Sequence, residues 1–153
     1  MTDTPTIHAS AVLIGAKAAL IRGPAGSGKS QLAFDLITAG WQSPFGTLPF
    51  VSLVADDRAH IEARAGRLLV RPASALAGLI EVRGLGIKRL PYEPLAVVGV
   101  VIDLAAADAG RHPALEAAET VLEGIALPRL SVAAGAAARP LVLALLKTPA
   151  AGD

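Results

Sequence analysis

The chain has 153 residues, the length of one domain with one core. Hydrophobic residues make up 53%, charged residues 18%, and the net charge is only +1; this excludes a disordered chain and predicts neither nucleic-acid nor membrane partners. Cysteine is absent, which excludes disulfides, thiolate metal sites and cysteine nucleophiles and fits a reducing cytoplasm.

The first ten residues, "MTDTPTIHAS", lack a signal-peptide pattern. The longest apolar runs stop at charge or proline well before the about 20 residues of a membrane span. A soluble, cytoplasmic protein is expected, with a core of Ala, Val, Leu and Ile because aromatics are only 3%. Small apolar side chains of this kind suit packed α/β layers.

In chain order, "TIHASAVLI" (6–14) reads as a strand, and Gly15-Ala16-Lys17 as a turn into a second strand, "AALIR". A glycine-rich loop follows. Leu32, Ala33, Leu36 and Ile37 then recur at helical spacing over about 30–39, with Gly40 in the position that ends a helix. Residues 41–50 hold Pro44, Gly46 and Pro49 and predict a surface loop. "VSLVA" (51–55) is a strand that runs into Asp56-Asp57. "HIEAR" and "RLLVR" flank Ala65-Gly66 as a hairpin. A short turn or helix leads to a strand "LIEVR" (79–83), then Gly84 and Gly86. "LAVVGVVIDL" (95–104) has the composition of a buried strand. "HPALEAAETVLEG" (112–124) predicts a helix, with Pro113 at its start and Gly124 past its end. "RPLVLALLK" (139–147) is a strand or a helix, since periodicity cannot decide for an all-apolar run.

Three stretches carry chemistry. Gly23-Pro24-Ala25-Gly26-Ser27-Gly28-Lys29-Ser30 matches G-x-x-x-x-G-K-[ST] at every required position. Glycines let successive N–H groups converge on anionic oxygens in front of a helix N-terminus. Lys29 is placed for the β- and γ-phosphates, and the Ser30 hydroxyl for Mg²⁺. The bland reading of the same residues is a glycine-rich turn with a surface lysine. Asp56 and Asp57 follow an apolar strand; a carboxylate there can orient a Mg²⁺ ion or take a proton from an attacking hydroxyl, unless the pair is a polar turn. In "IEVRGLGI" (80–87), Glu81 and Arg83 share one face of a strand. They suit a metal and a phosphate, or an ordinary surface ion pair. His8 taken alone is a strand-end histidine. No Ser-His-Asp arrangement is recognisable. The chain contains no asparagine, which excludes the N-K-x-D guanine-reading motif of GTP switches.

Taken together, "IHASAVLI", "ALIRGPAGSGKSQLAFDLI", "LVADDR", "IEVRGLGI" and "LPRL" resemble, in order over about residues 6–146, the catalytic domain of HPr kinase/phosphorylase. The E-[IV]-R-G-L-G-I stretch is that family's signature. The resemblance implies a single α/β domain over 1–153 with the phosphoenolpyruvate-carboxykinase-like variant of the P-loop fold. It implies an ATP- and Mg²⁺-dependent serine kinase acting on the phosphocarrier HPr or a nitrogen-branch relative, with reverse phosphorolysis as a second activity. His8 resembles the family's active-site histidine beside the phosphates. The loop 23–30 with Gln31 would bind ATP, and Ser30 and Glu81 the Mg²⁺. Asp57, with Asp56 as the alternative, would be the base that deprotonates the target serine. Arg83, in the stretch 81–88 used in both directions, and Arg111 would complete the catalytic set. The family's hexamer implies a homo-oligomer. The resemblance implies a short form without the family's N-terminal domain, with Pro24 and Gln31 standing where that family usually has acidic residues. Two rival readings are a P-loop kinase for another protein or small molecule, and a nucleotide-binding regulatory module without transfer.

Overall fold

The computed structural model describes residues 5–41, 50–109, 118–134 and 137–147. Two antiparallel strands open the chain, β1 (Thr6–Ile14) and β2 (Lys17–Arg22), joined at Gly15-Ala16 with Ile14 opposite Lys17. Helix α1 (Lys29–Trp41) follows the glycine-rich loop, and β3 (Val51–Ala55) returns antiparallel to β1. Strands β4 (Arg58–Arg64) and β5 (Arg67–Pro72) form the expected hairpin about Ala65-Gly66. After a single 3₁₀ turn (Ser74–Leu76), β6 (Leu79–Val82) and β7 (Gly86–Arg89) make a separate two-stranded hairpin. Then come β8 (Ala96–Leu104), β9 (Glu119–Leu122), β10 (Ile125–Val132) and α2 (Ala138–Lys147).

The long strands β1 and β8 each serve two neighbours along their length. Strand β1 pairs β4 through Thr6, Ile7 and His8, then β2 and β3 beyond them. Strand β8 pairs β5 through Ala96 and Val97, then runs parallel to β2 from Val98 to Asp103. On its other side Val101 to Leu104 pair in parallel with β10. The result is a mixed sheet whose successive side chains go to opposite faces. Ala18 and Leu20 pack with Leu68, Val70 and Val98 on one side. Ala19 and Ile21 pack with Leu32, Leu36 and Ile37 of α1 on the other. The four helix positions expected to face the core are all buried.

Several expectations are corrected. Gly40 does not end α1; it lies inside the helix, where an added Cβ would meet the Val51 side chain at 2.9 Å. It is a point of close approach to β3. Residues 119–122, expected in a helix, form β9, paired antiparallel with β10. Glu123 and Gly124 between them have φ of 50° and 79°, as the two central residues of a tight hairpin turn require. Arg83 lies in the β6–β7 turn and not in a strand with Glu81. The run 139–147 resolves as helix α2, with Val142 buried in the α1 cluster and Leu141 and Leu145 exposed. Arg111 and most of the expected loop 41–50 lie outside the described residues. Among the described residues, no helix is long and apolar enough to cross a membrane.

Candidate active site

Strand β2 delivers the chain into the loop 23–28, and Lys29 and Ser30 open α1. Gly26 and Gly28 hold φ of 81° and 99°, left-handed values that glycine takes without steric penalty. The Ser27 amide donates to the Pro24 carbonyl at 3.0 Å, and the Leu32 amide to Gly28 at 2.9 Å. No acidic residue of α1 itself occupies its first turn, and its positive dipole end faces the loop. Lys29 is 7% exposed, and its ammonium donates to the carbonyls of Gly23 at 2.8 Å and Pro24 at 3.2 Å. The Ser27 hydroxyl oxygen is buried with no hydrogen-bond partner among the described residues. An orphaned hydroxyl, a folded-back lysine and a helix N-terminus together suit an anionic group with several oxygens.

The loop sits so close to β8 that position 23 has no room for a side chain. A Cβ there would lie 2.4 Å from the Ser27 Oγ and 3.2 Å from the Leu104 carbonyl oxygen. Gly23→Ala is therefore expected to displace the loop and weaken nucleotide binding by about tenfold. Isothermal titration with ATP checks this; unchanged affinity would mean that the loop is not the phosphate site.

Asp56 and Asp57 sit just past the end of β3, and their surroundings differ sharply. Asp56 is 6% exposed. Its Oδ1 lies 2.7 Å from both the Ser30 and the Ser10 hydroxyls, and its Oδ2 lies 2.9 Å from Ser30 Oγ and 3.1 Å from the Glu81 amide. Asp57 projects outward with 63% of its side chain exposed, and its Oδ1 is 3.9 Å from His8 Nδ1. Its φ of 68° is a left-handed value that Asp tolerates better than most residues. That conformation is pinned from both sides: the Asp57 amide donates to Ser10 Oγ at 3.2 Å, and its carbonyl accepts the Ala9 amide at 3.2 Å.

A chain of charges lies behind the loop. Arg22, the last residue of β2, makes two hydrogen bonds to Asp103 of β8, at 2.7 and 2.8 Å. Arg129 of β10 also donates to Asp103, and in addition grips Asp108 at 2.7 and 3.0 Å. Burial alone would push the Asp103 carboxyl up, yet the hydrogen bonds from Arg22 and Arg129 outweigh it and hold the group below its ordinary range. Hydrogen bonds to Asp108 and Asp103 raise the Arg129 guanidinium above its already high value. Beside the loop, a cavity of about 460 Å³ is lined by residues 24–28, by Leu104, Val132 and a run of alanines, with Gln31, Asp35 and Arg139 as its polar points.

The structure thus brings together the loop 23–30, His8, Asp56 and Asp57, and reaches Glu81 through its backbone. The Glu81 side chain is exposed, as is Arg83 in its turn. Gln31 is exposed and donates to Asp35 of its own helix at 2.9 Å. Ser10, Arg22, Asp103 and Arg129 were not singled out from the sequence. Two of them had a visible signal: a serine at a position that proves fully buried in an apolar strand, and an acid closing the apolar run 95–104. Among the described residues no three His, Cys, Asp or Glu side chains converge as a metal cage. The Ser30 hydroxyl and the Asp56 carboxylate instead offer hard oxygen donors, which suit Mg²⁺ shared with phosphate oxygens.

A family model describing the HPr Serine kinase C-terminal domain matches residues 1–91, which hold the loop, both aspartates and the β6–β7 hairpin. This chain belongs to that family. An HPr kinase/phosphorylase of Streptococcus thermophilus is 35% identical over 88 residues, which is 57% of this chain and 25% of the relative. One of Clostridium tetani is 35% identical over 92 residues, covering 56% and 27%. The match thus spans about a quarter of the length of these curated HPr kinase relatives. The fold is shared with the Hpr(Ser) kinase/phosphatase of Coxiella burnetii, at a TM-score of 0.70, 24% identity and 92% coverage of both chains.

Proposed function

We propose that this chain is a single catalytic domain that binds ATP with Mg²⁺ and transfers the γ-phosphoryl group to a serine of an HPr-type phosphocarrier, with phosphorolysis as the reverse reaction. The observation that carries this reading is the division of labour between adjacent aspartates. Asp56 is buried and tied to the loop serine, whereas Asp57 is exposed beside His8. A carboxylate engaged by Ser30 suits a metal-orienting role, and a solvent-facing one suits a base that an acceptor hydroxyl can reach. The connectivity supports the phosphoenolpyruvate-carboxykinase-like variant of the P-loop fold. Strand β2 arrives through a tight antiparallel turn, whereas doubly wound sheets join their strands through helices.

In the forward reaction the acceptor hydroxyl oxygen bonds to the γ-phosphorus as its proton passes to Asp57, and the bond to the β-phosphate oxygen breaks to release ADP. The loop amides and Lys29 stabilise the charge that develops on the phosphoryl oxygens. Ser30, Asp56 and Glu81 would hold Mg²⁺, which when bound neutralises phosphate charge. His8 adds a polar group beside Asp57. Arg83, Lys88 and Arg89, with exposed Leu85 and Ile87, give the β6–β7 hairpin a mixed basic and apolar surface, on both its sides, for an acceptor protein. We assign the acceptor contact and the homo-oligomer contacts to such surfaces.

The test is transfer from labelled ATP to purified HPr-type carriers, with and without inorganic phosphate. Label on a carrier serine, removed again by phosphate, is the expected result. ATP binding with no label on any carrier would overturn the acceptor and leave only a nucleotide site.

A further inference from the structure

We propose that Ser10 is the positioning residue that keeps Asp56 aimed at the metal site. This rests on the Mg²⁺–ATP reading above. Ser10 lies on β1, is fully buried, and touches both aspartates through one oxygen. The Asp57 amide can only donate, so it occupies a lone pair of Ser10 Oγ at 3.2 Å. The single Ser10 proton is thereby left for Asp56 Oδ1, 2.7 Å away, and the direction of that hydrogen bond is set by the backbone. Ser30 also has one proton, although its oxygen lies 2.7 and 2.9 Å from the two Asp56 oxygens.

A hydroxyl that ligates a cation through a lone pair keeps its proton, but Ser30 can give that one proton to only one Asp56 oxygen and does not by itself fix the carboxylate plane. Asp56 has two donors that do not depend on Ser30, Ser10 Oγ on Oδ1 and the Glu81 amide on Oδ2. These hold the carboxylate plane from both ends. Ser10 also anchors the left-handed turn of Asp57, so one hydroxyl sets the relative placement of both acids. Partners that orient ligating or metal-facing carboxylates in this way are worth about 10- to 100-fold in metal affinity when removed.

The experiment measures ATP affinity by titration calorimetry at increasing Mg²⁺ for the whole chain, with thermal unfolding in parallel. In Ser10→Ala the Mg²⁺ concentration for half-maximal enhancement is expected to rise about tenfold, with metal-free ATP affinity within about twofold. Ser10→Thr, which keeps the hydroxyl, should restore the wild-type midpoint. In an Asp56→Asn background, Ser10→Ala should shift the midpoint no further. A lowered melting temperature with an unchanged Mg²⁺ midpoint would overturn the proposal and leave Ser10 purely structural. If Ser10→Ala does not fold, Ser10→Cys, with similar size and a weaker donor, makes the same comparison: a raised midpoint supports the role and an unchanged one overturns it. Wild-type protein whose ATP affinity ignores Mg²⁺ would refute the underlying reading itself, whatever the variants do.

Discussion

Asp57→Asn is expected to lower phosphoryl transfer by about 10²- to 10⁴-fold while leaving ATP affinity within about threefold of wild type. Asparagine has the size of aspartate and tolerates the left-handed φ of 68° at this position, so the turn and its two backbone anchors survive. What is lost is the ability to take a proton. The neighbouring substitution should behave differently. Asp56→Asn removes a charge buried against Ser10, Ser30 and the Glu81 amide, so its first effect should be on Mg²⁺-dependent ATP binding. Single-turnover transfer and calorimetry on both variants separate the roles. An Asp57→Asn variant that transfers at more than a tenth of the wild-type rate would place the base elsewhere.

What could be read in advance was the conformation that short stretches of backbone adopt by themselves. The strand before the loop 23–30 and the helix after it came out as expected, because the apolar run, the glycines and the helical spacing are all local signals. The Ala65-Gly66 hairpin was legible for the same local reason. Residues 119–122 were not. The alanines, leucine and glutamate at 114–118 favour helix locally, but Thr120 and Val121 are β-branched, and the Glu123-Gly124 turn pairs the segment with β10 as a strand. Gly40 misled in the same way, since its reason is the distance to Val51 and not helix termination. For the site, adjacent Asp56 and Asp57 were visible, but which was buried depended on Ser10, 46 residues away, reaching across from β1. The Arg22–Asp103 pair, 81 residues apart in sequence, follows from the parallel register of β2 and β8. No local pattern encodes a register of that kind.

Asp103→Ala is expected to be the most destabilising single change in the charged chain, by about 3 kcal/mol, or roughly 10 °C in melting temperature. The Asp103 side chain is only 14% exposed and answers two guanidiniums at once. Removing it leaves Arg22, at the end of β2, and Arg129, within β10, without the carboxylate they share. The low end of the range for broken buried pairs applies, because Arg22 keeps 28% exposure and water can reach it. Asp108→Asn is the control: its carboxylate is half exposed, so its melting shift should be much smaller. The sign with pH follows from the lowered Asp103 carboxyl. A carboxyl whose folded value lies below its unfolded one stabilises fully above the unfolded value, near 3.8, and loses that contribution as pH falls through the folded value. The stability gap between wild type and Asp103→Ala should therefore be constant from neutral pH down to about 4 and narrow only in stronger acid. Melting curves across that window decide it. A gap that closed between pH 7 and 5 would mean that a histidine, and not this carboxylate, holds β2, β8 and β10 together behind the loop.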